Sequence, residues 1–553
     1  MNSAVLAILA TIWFVIAYKW YGKKMEDKLV VPDDSVPTPA VEMNDGVDYY
    51  PAKPIILFGH HFSSIAGAGP ILGPVGAVAA FGWGGSILWI LLGTVFIGAV
   101  HDYLSLMVSV KFKGNSIPEI AQQVVGRRAR NLFSIFVLIT LILIVAVFGY
   151  VATNTLISTP AVVIPTFGVI AVAMLFGYMV YRLNFSTSLA TVLALIALFF
   201  LIWLGYKVPI SLPFAPKTNF AIWFILLMAY GLVASVLPVW LLLQPRDYIS
   251  TWVLIIGLVA GLIGTFITHP TINAPAFTTF NTSSGPMWPM LFIIIACGAI
   301  SGFHSLVGGG TTSKQLAKQS HGRLVGYGAM LTEGVLATLA LLTVSAGLFW
   351  KAPAGMEQYA LFDVLKAGGP IKAFGMGYGR LTEPLFGVFG MLFGITMLKT
   401  FVMTTLDTTI RLGRFVAAEL IGPSVPAFKN RFVGSLAIVL PAFYLGYTGS
   451  YSIIWPMFGA ANQLIAALAL LIITAYLVGV KRPTKYTMYP ALFMIVTTLA
   501  ALIYQGYGHF FGPKPNYVLG ITSVVLFILA LIVAGEAKKI LSKTPDAEPN
   551  IKA

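Results

Sequence analysis

Two adjacent histidines, His60 and His61, lie within the apolar segment IILFGHHFSSIAGAGPILGPVGAV. The segment is long enough to cross a bilayer, and ionisable side chains inside such a segment are costly to bury, so they indicate transport chemistry such as proton relay. Gly67, Gly69 and Pro70 interrupt the same segment near its middle. Unwound backbone at bilayer depth is tolerated only where it lines a cavity or is enclosed by protein, so the interruption predicts a ligand or ion site.

The interruption suits a small carboxylate as its ligand. Pro70 is expected in the first turn of a second half-helix, where its missing N–H costs nothing. The amides near Ile71–Gly73 and the positive end of that half-helix would then face the anion, and glycine lets the backbone approach it closely. The alternative is that the glycines only allow close helix packing. The candidate substrate-binding residues are Ser64, Gly67, Ala68, Gly69, Pro70, Ser235 and Lys399.

A second polar cluster lies in the motif SGFHSLVGGGTT. His304 is expected on one helix face with two serines, and the glycines Gly308–Gly310 are expected to weaken that helix. Serine hydroxyls with backbone carbonyls of the first interruption would coordinate Na⁺, whereas His304 with His60 or His61 would relay protons, and the sequence allows either ion. The candidate ion-coupling residues are His60, His61, Asp102, Ser301, His304 and Ser305.

No metal centre is predicted. The histidines lack the H-E-x-x-H pattern of a zinc site, and Cys297 is the only cysteine, which excludes a disulfide framework and a cysteine metal site. No cofactor is therefore expected beyond the coupling ion, H⁺ or Na⁺.

Lys399 is the one basic residue deep within a predicted span, KTFVMTTLDTTIRLGR. Asp407 follows two helical turns later, about 12 Å away along the axis, so Lys399 is expected to find its partner on another helix, with Asp102 and Glu333 as candidates, or in the substrate. Asp407 is interpreted as a structural group beside Arg411. A further polar pair, Asn462–Gln463, is interpreted as holding helices together.

The composition requires that these residues be positioned by membrane helices. Hydrophobic residues make up 58% of the chain and charged residues 10%, and the mean hydropathy is +0.88. Soluble domains carry about 25% charged residues, so the chain is predicted to be an all-α polytopic membrane protein. The net charge of +15 comes from clusters at the ends of spans, so it indicates topology and not a nucleic-acid partner.

Hydropathy predicts about 15 transmembrane helices. Most of the 34 Lys and Arg residues then fall on one face, which the positive-inside rule makes cytoplasmic, with the N-terminus outside and the C-terminus cytoplasmic. The predicted spans are 3–18, 55–80, 86–110, 131–156, 162–181, 188–206, 219–243, 249–268, 288–313, 324–349, 383–408, 432–450, 453–479, 488–508 and 519–537.

A five-plus-five inverted repeat is the predicted architecture. If residues 55–80 form the first core helix, the sixth lies near Phe220–Leu243 and enters from the opposite side, with Gly231 and Pro238 near its centre. Both helices are then expected to be broken, although a proline that merely kinks a packed helix is the alternative. The predicted divisions are an N-terminal anchor and loop (1–54), a transport core (55–415) and additional C-terminal helices with a short cytoplasmic tail (416–553).

Two loops are singled out. The acidic, proline-rich segment from Glu26 to Lys53 is expected to be an irregular cytoplasmic connection. The outward segment from Lys351 to Arg380 is expected to form a lid or a short re-entrant piece.

Five stretches resemble the carbon starvation protein A family over nearly the whole chain: GHHFSSIAGAGPILGP, VHDYLSLMVSVKFKGNSIPEIA, LLQPRDYIS, SGFHSLVGGGTTSKQL and WPMFGAANQLIA. The resemblance implies a prokaryotic cytoplasmic-membrane transporter for peptides or pyruvate under nutrient limitation. It also implies a carrier of the amino acid–polyamine–organocation superfamily, with a leucine-transporter-like core. Where other members tend to carry serines, this chain has Gly308–Gly310, which weighs against hydroxyl ligands beyond Ser305.

The sequence thus predicts a secondary transporter and not an enzyme. It would import a small carboxylate such as pyruvate, or short peptides, by alternating access. Proton coupling is favoured because imidazole changes charge in the pH range of a proton gradient, with Na⁺ symport as the alternative. A channel or a starvation receptor is the alternative of a different class. The expected partners are the small-molecule substrate and membrane lipid, with no obligatory protein partner.

Overall fold

The computed structural model describes residues 1–46, 49–237, 242–449, 451–513 and 515–541. Within these ranges, fourteen helices are long and apolar enough to cross a membrane, and one bent helix pair passes the same test together. Each of the fifteen predicted spans coincides with one of these helices or with the bent pair. The chain is therefore a predominantly helical, multi-pass membrane protein.

The helices of the first half are α1 (Ser3–Ile16), α2 (Lys23–Met25), α3 (Pro39–Glu42), α4 (Pro54–Ile65), α5 (Gly69–Phe81), α6 (Trp83–Gly93), α7 (Ala99–Lys111), α8 (Ile117–Val124), α9 (Arg127–Ser158), α10 (Val163–Tyr181), α11 (Thr187–Lys207), α12 (Pro216–Val236) and α13 (Leu243–Thr268). A two-stranded antiparallel hairpin follows, of β1 (Asn281–Thr282) and β2 (Gly285–Pro286). The helices of the second half are α14 (Met287–Ile295), α15 (Gly302–Gly310), α16 (Ala329–Ser345), α17 (Leu361–Leu381), α18 (Glu383–Phe386), α19 (Gly390–Leu420), α20 (Arg431–Thr448), α21 (Tyr451–Gly479), α22 (Lys485–Phe511) and α23 (Tyr517–Leu541).

The bent pair is α4 and α5, whose axes meet at 45°. Ala66 leaves the helical conformation (φ −74°, ψ +62°), and Gly67 N–H donates to the Ile65 carbonyl at 2.8 Å. Pro70 lies in the first turn of α5. Its ring presets the helical φ without requiring an N–H donor, which explains why a new helix begins there.

A second interruption separates α14 from α15. After Ile295 the chain makes a 3₁₀ turn over Ala296–Gly298, passes through an extended Ser301 (φ −140°, ψ +126°) and re-enters a helix at Gly302. Ala296 itself has φ +33°, in the left-handed region that non-glycine residues rarely adopt. The interruption therefore lies in the sequence ACGAIS.

The glycines expected to weaken the second helix, Gly308–Gly310, form the last turn of α15, which ends at Gly310 and is followed by a non-helical Thr311 (φ −132°, ψ −50°). The helix packs against α7 and α21, and Leu106 lies within 4 Å of the position that a Cβ on Gly308 would occupy. Tertiary packing of this kind, and not intrinsic propensity, supplies most helix stability in a folded protein.

The expected break in the sixth core helix is also not found at Gly231, which lies inside the continuous helix α12. A Cβ at Gly231 would lie 2.7 Å from Ile410 of α19, so this glycine allows close helix packing. Pro238 lies outside the described residues. The second interruption in the described chain is instead the one between α14 and α15.

The two interrupted segments run antiparallel. The leading half of the first segment, α4, packs against the trailing half of the second, α15, and α5 packs against α14. Six of the membrane-length helices separate them in the chain. This arrangement brings both interruptions to the same level of the bundle.

The outward segment 351–380 contains the helix α17, which packs against α5, α9, α16 and α19. Gly369 kinks this helix with φ +69° and ψ −170°, and Pro370 begins its second part. Ile371, Phe374 and Tyr378 of that part are buried. The segment is therefore an integral part of the bundle and not a surface lid.

The segment from Glu26 to Lys53, expected to be irregular, begins with the helical residues Glu26–Val30 and also contains α3. The rest of this loop is held to other parts of the bundle by hydrogen bonds. Backbone amides of Tyr50 and Ala52 donate to the carbonyls of Lys314 and Gln315, at 3.1 and 3.0 Å. Asp34 accepts hydrogen bonds from both the amide and the hydroxyl of Ser320, which hold the pKa of Asp34 below its ordinary value. The loop is thus attached to the end of the second interrupted segment.

Candidate functional site

The two interruptions touch through backbone. A Cβ at Gly73 would lie 2.6 Å from the carbonyl oxygen of Ile295, and a Cβ at Gly69 would overlap the side chain of Cys297. The Gly298 carbonyl, released from helical hydrogen bonding, accepts from the Thr94 hydroxyl at 3.1 Å. Polar backbone exposed by a helix break must find such partners when it lies inside a membrane protein.

A small central cavity lies between the interruptions, with a volume of about 10 Å³, room for about one water molecule. Its polar side chains are Ser301 and Thr405, and the Thr405 hydroxyl has no hydrogen-bond partner among the described residues. A Cβ at Gly67 would lie 2.8 Å from that hydroxyl oxygen, so Thr405 faces the first interruption. The cavity is lined by Ile65, Gly67, Gly69, Ile144, Phe148, Cys297, Ser301, Phe303, Thr405 and Phe458.

The amides expected to face an anion are not those of Ile71 and Leu72. Both donate to the Ala68 carbonyl, at 3.1 and 2.9 Å, and so form the first turn of α5. The amides of Ala68 and Gly69 precede that turn, where a helix leaves its first N–H groups without an intrahelical acceptor. These two amides are therefore the candidate backbone donors for a ligand at this interruption.

Asn462 was interpreted as joining helices, and the structure gives it a more specific position. Its Oδ1 atom accepts from the Phe303 amide at 2.9 Å, and its Nδ2 donates to the Ser301 hydroxyl at 3.0 Å. Asn462 of α21 thus caps the start of α15 from another helix, as a side-chain N-cap does locally. Sequence reasoning missed this role, although an amide within an apolar span was a visible signal.

His304 lies between two carboxylates. Its Nδ1 is 2.8 Å from Oδ2 of Asp102, and its Nε2 is 3.4 Å from Oε2 of Glu333. The other Asp102 oxygen lies 3.0 Å from Nδ1 of His101. All four side chains are fully buried, and they come from α7, α15 and α16. We call Asp102, His304 and Glu333 the acid–histidine cluster.

The other two candidate histidines do not join that cluster directly. His61 Nδ1 lies 2.8 Å from the Thr312 hydroxyl, and its Nε2 has no partner among the described residues. The His60 carbonyl accepts from the Ser64 hydroxyl at 2.8 Å, so Ser64 bonds to its own helix. Ser305 likewise donates to the Gly302 carbonyl at 2.7 Å. Of the predicted ion-coupling residues, the structure therefore brings Asp102 and His304 into direct contact.

Lys399 is fully buried and donates to the Ala152 carbonyl of α9 at 2.9 Å. Neither Asp102 nor Glu333 forms an ion pair with it, so the partners suggested from the sequence are wrong: Asp102 is hydrogen-bonded to His304, and Glu333 lies 3.4 Å from the other nitrogen of that imidazole. The Lys399 ammonium is left beside a neutral carbonyl, on the helix that also supplies Thr405 to the central cavity.

Ser235 is placed away from the interruptions. Its hydroxyl donates to the Leu232 carbonyl at 2.8 Å and lies 2.9 Å from the Ser435 hydroxyl. It does not line the central cavity. The structure thus gives Ser235 a contact between α12 and α20.

Arg246 is a buried charged residue that sequence reasoning missed, because the positive-inside count places it with the basic residues of the cytoplasmic face. It is fully buried and forms a two-pronged pair with Asp407, at 2.5 and 3.0 Å, and it also donates to the Tyr230 hydroxyl. Asp407 therefore pairs with Arg246 and not with the Arg411 region.

Within the described residues, no group of His, Cys, Asp and Glu side chains has the arrangement of a metal site.

Comparison with known proteins gives a consistent result. The family described as carbon starvation protein CstA matches residues 2–358 and 356–501. The chain is 32% identical to the peptide transporter CstA of Escherichia coli (strain K12), over 97% of this chain and 85% of that protein. It is 31% identical to the pyruvate/proton symporter BtsT of the same organism, over 90% and 81%. It is 30% identical to the peptide transporter CstA of Bacillus subtilis (strain 168), over 98% and 97%.

Among solved structures, a manganese transporter of Eremococcus coleocola aligns with a TM-score of 0.42 at 14% identity. The alignment covers 90% of this chain and 98% of that chain. A likeness at this level assigns neither a substrate nor a mechanism.

Proposed function

The chain belongs to the carbon starvation protein CstA family, and from this membership we propose that it imports a small carboxylate, pyruvate in the first place, or short peptides, by proton-coupled secondary transport. That it is a multi-pass membrane transporter follows from its family and its helices. Relatives named as peptide transporters and as a pyruvate/proton symporter support both substrate classes and, in one case, the coupling ion.

The acid–histidine cluster is the observation that carries proton coupling. Two carboxylates and an imidazole, all fully buried, meet beside the second interruption. An uncompensated charge in such a place costs several kcal/mol, so the cluster changes its total charge only by exchanging protons with water. An imidazole between two carboxylates can hold a proton while the site is closed and release it when the site opens to the cytoplasm.

The position of His304 links this proton to the substrate. His304 lies in the first turn of α15, and Ser301, which precedes that helix, lines the central cavity. Protonation that changes the His304 contacts with Asp102 or Glu333 would shift the start of α15. In alternating access, that shift would open or close the cavity between the two interruptions.

We place the substrate carboxylate at the first interruption. The amides of Ala68 and Gly69 and the unpartnered Thr405 hydroxyl are the donors there, and Ser64, Gly67 and Pro70 shape the turn that presents them. Lys399, buried beside a neutral carbonyl, would supply the compensating positive charge. The cavity has room for about one water in this conformation, so binding requires the two interruptions to separate.

Sodium coupling is the second candidate, and one observation favours it. Two hydroxyl-bearing residues, Ser301 and Thr405, line the central cavity beside unwound backbone. Hydroxyl and carbonyl oxygens are the ligands that a hard cation such as Na⁺ prefers. On this alternative, the acid–histidine cluster would be a structural group.

Uptake into proteoliposomes containing only this protein would test the proposal. Labelled pyruvate and a labelled dipeptide are offered with either a proton gradient or a Na⁺ gradient, to the parent protein, His304→Gln and the control His269→Asn. Accumulation that needs the proton gradient and disappears only in His304→Gln supports proton coupling. Accumulation driven by a Na⁺ gradient alone contradicts proton coupling. If neither compound is taken up, transport of these substrates is contradicted, and a channel or a starvation receptor becomes the better explanation.

A further inference from the structure

A second, larger cavity lies between α9 and the kink of α17, with a volume of about 520 Å³. This volume is within the range of small-molecule sites. One wall is a single face of α9, formed by residues at helical spacing that include Asn154, Thr155 and Ser158. The opposite wall is the stretch Lys366–Ile371, where α17 bends. We call this cavity the outer vestibule.

The chemistry of the vestibule suits an anion. Lys366 is the charged residue in its lining, and within the described residues Lys366 forms no ion pair and no carboxylate lines the cavity. The Ser158 hydroxyl is buried there without a hydrogen-bond partner among those residues. A concave wall that carries one sign of charge raises the local concentration of the opposite sign.

The vestibule is stacked on the central cavity along the interface of α9 and α19. Phe148 of α9 and Thr405 of α19 line the central cavity. About one turn further along α9, Ala152 accepts the Lys399 hydrogen bond. Val151 and Thr155, which flank that position, line the vestibule. The buried Lys399 ammonium therefore lies between the two cavities.

The side of the membrane follows from the basic residues. Arg127, Arg128 and Arg130 lie at the start of α9, the end that the positive-inside rule places in the cytoplasm. The vestibule lies at the other end of α9, beside residues 150–158. On that prediction it opens to the outside.

We propose that the outer vestibule binds small carboxylate anions before they reach the central cavity, with Lys366 attracting them and Lys399 receiving them next. The direction in which the anion moves rests on the proposed function. The existence of the anion site does not depend on it. The kink at Gly369, whose positive φ requires glycine, keeps the wall with Lys366 open towards α9.

A thiol-labelling experiment tests the site without requiring transport. Ser158→Cys is introduced into the full chain, whose natural cysteine, Cys297, is buried and gives the background rate. Membrane-impermeant methanethiosulfonate reagents carrying a sulfonate or a trimethylammonium group are added outside intact vesicles, and their rates are normalised to a free thiol. We expect the anionic reagent to react at least about threefold faster than the cationic one.

Charge variants complete the labelling test. Adding Lys366→Gln to Ser158→Cys should abolish the preference, whereas Lys207→Gln, an equal charge change on the same predicted face, should preserve it. High salt should reduce the preference, because the charges are solvent-accessible. Equal rates for both reagents, loss of the preference in Lys207→Gln, or no reaction from outside would each overturn the proposal.

Uptake kinetics separate this proposal from the proposed function. Lys366→Gln should raise the KM for pyruvate about threefold or more at low ionic strength and leave the maximal rate unchanged, while Lys207→Gln changes neither. An anion preference in labelling with no uptake of pyruvate or dipeptide would contradict the proposed function and leave the vestibule standing. An unchanged KM in Lys366→Gln would overturn the role of the vestibule in recruitment.

Discussion

His304 Nδ1 and Asp102 Oδ2 lie 2.8 Å apart, although 202 residues separate them in the chain. Both side chains are fully buried, and the second imidazole nitrogen faces Glu333. The contact joins α7, which follows the first interrupted segment, to the first turn of α15 in the second. A proton bound by this cluster would therefore lie next to the first turn of α15, and Ser301, which precedes that turn, lines the central cavity.

Asp102→Asn should uncouple transport from the proton gradient. The amide keeps the size of the side chain but cannot exchange a proton, so accumulation driven by a pH gradient should fall at least about tenfold. Exchange of labelled for unlabelled substrate at equal concentration should survive, because it needs no net proton movement. His321→Asn serves as the control variant. Undiminished pH-driven accumulation in Asp102→Asn would rule out a coupling role for this carboxylate.

Glu333→Gln should move the pH dependence of uptake to lower pH. An ionised Glu333, 3.4 Å from His304, would favour the protonated imidazole, and removing that carboxylate means that a higher proton concentration is needed for the same occupancy. Initial uptake rates measured from pH 5 to pH 8 would show the displacement. Glu333→Asp keeps the charge and should restore part of the profile. A profile unchanged in Glu333→Gln would mean that Glu333 does not act on the coupling proton.

Gly69→Ala should abolish transport, because the added methyl group would overlap the Cys297 side chain and force the two interruptions apart. Cys297→Gly removes the opposing atoms, so the double variant should recover uptake. Gly76→Ala, on the same helix, adds a methyl group 3.4 Å from Ile294, an ordinary contact, and should be tolerated. Uptake by Gly69→Ala equal to that of Gly76→Ala would show that the close approach is not required.

Arg246→Met should destabilise the fold by about 3–5 kcal/mol, because it leaves the Asp407 carboxylate buried without its partner. Adding Asp407→Leu removes that stranded charge and should return much of the loss, as in other buried pairs replaced by apolar residues. Thermal unfolding in detergent measures both. Lys23→Met breaks a half-exposed pair with Asp27 and a pair with Glu26, which keeps Arg323 as a partner, and should change the midpoint much less. Additive losses in the double variant would argue against a direct pair.

Local patterns in the sequence predicted the helices well. Each span is an apolar run of about twenty residues, and hydropathy is a property of neighbouring residues alone. The turn before Pro70 was also visible, because glycine and proline act on their own backbone. The predicted inverted repeat, the divisions of the chain and the orientation of its termini remain predictions.

The second interruption had only a weak local signal, the single glycine Gly298. The sequence ACGAIS contains no proline, whereas Gly231 looked like a breaker and lies in a continuous helix. The chain leaves the helix after Ile295 where its backbone meets Gly73 of α5 and the Cys297 side chain meets Gly69, and Thr94 and Asn462 satisfy polar groups that are released. Contacts between distant segments decide such a break.

The sequence by itself therefore determined that this is a multi-pass membrane protein of the carbon starvation family and where its helices lie, and it predicted several of the polar residues that are buried between them. Only the tertiary structure decided which of them meet. His304 lies beside Asp102 and Glu333 and not beside the other candidate histidines. Asp407 pairs with Arg246, and Lys399 donates to a backbone carbonyl. Burial energies depend on residue type, but pairing depends on how helices far apart in the chain pack against one another.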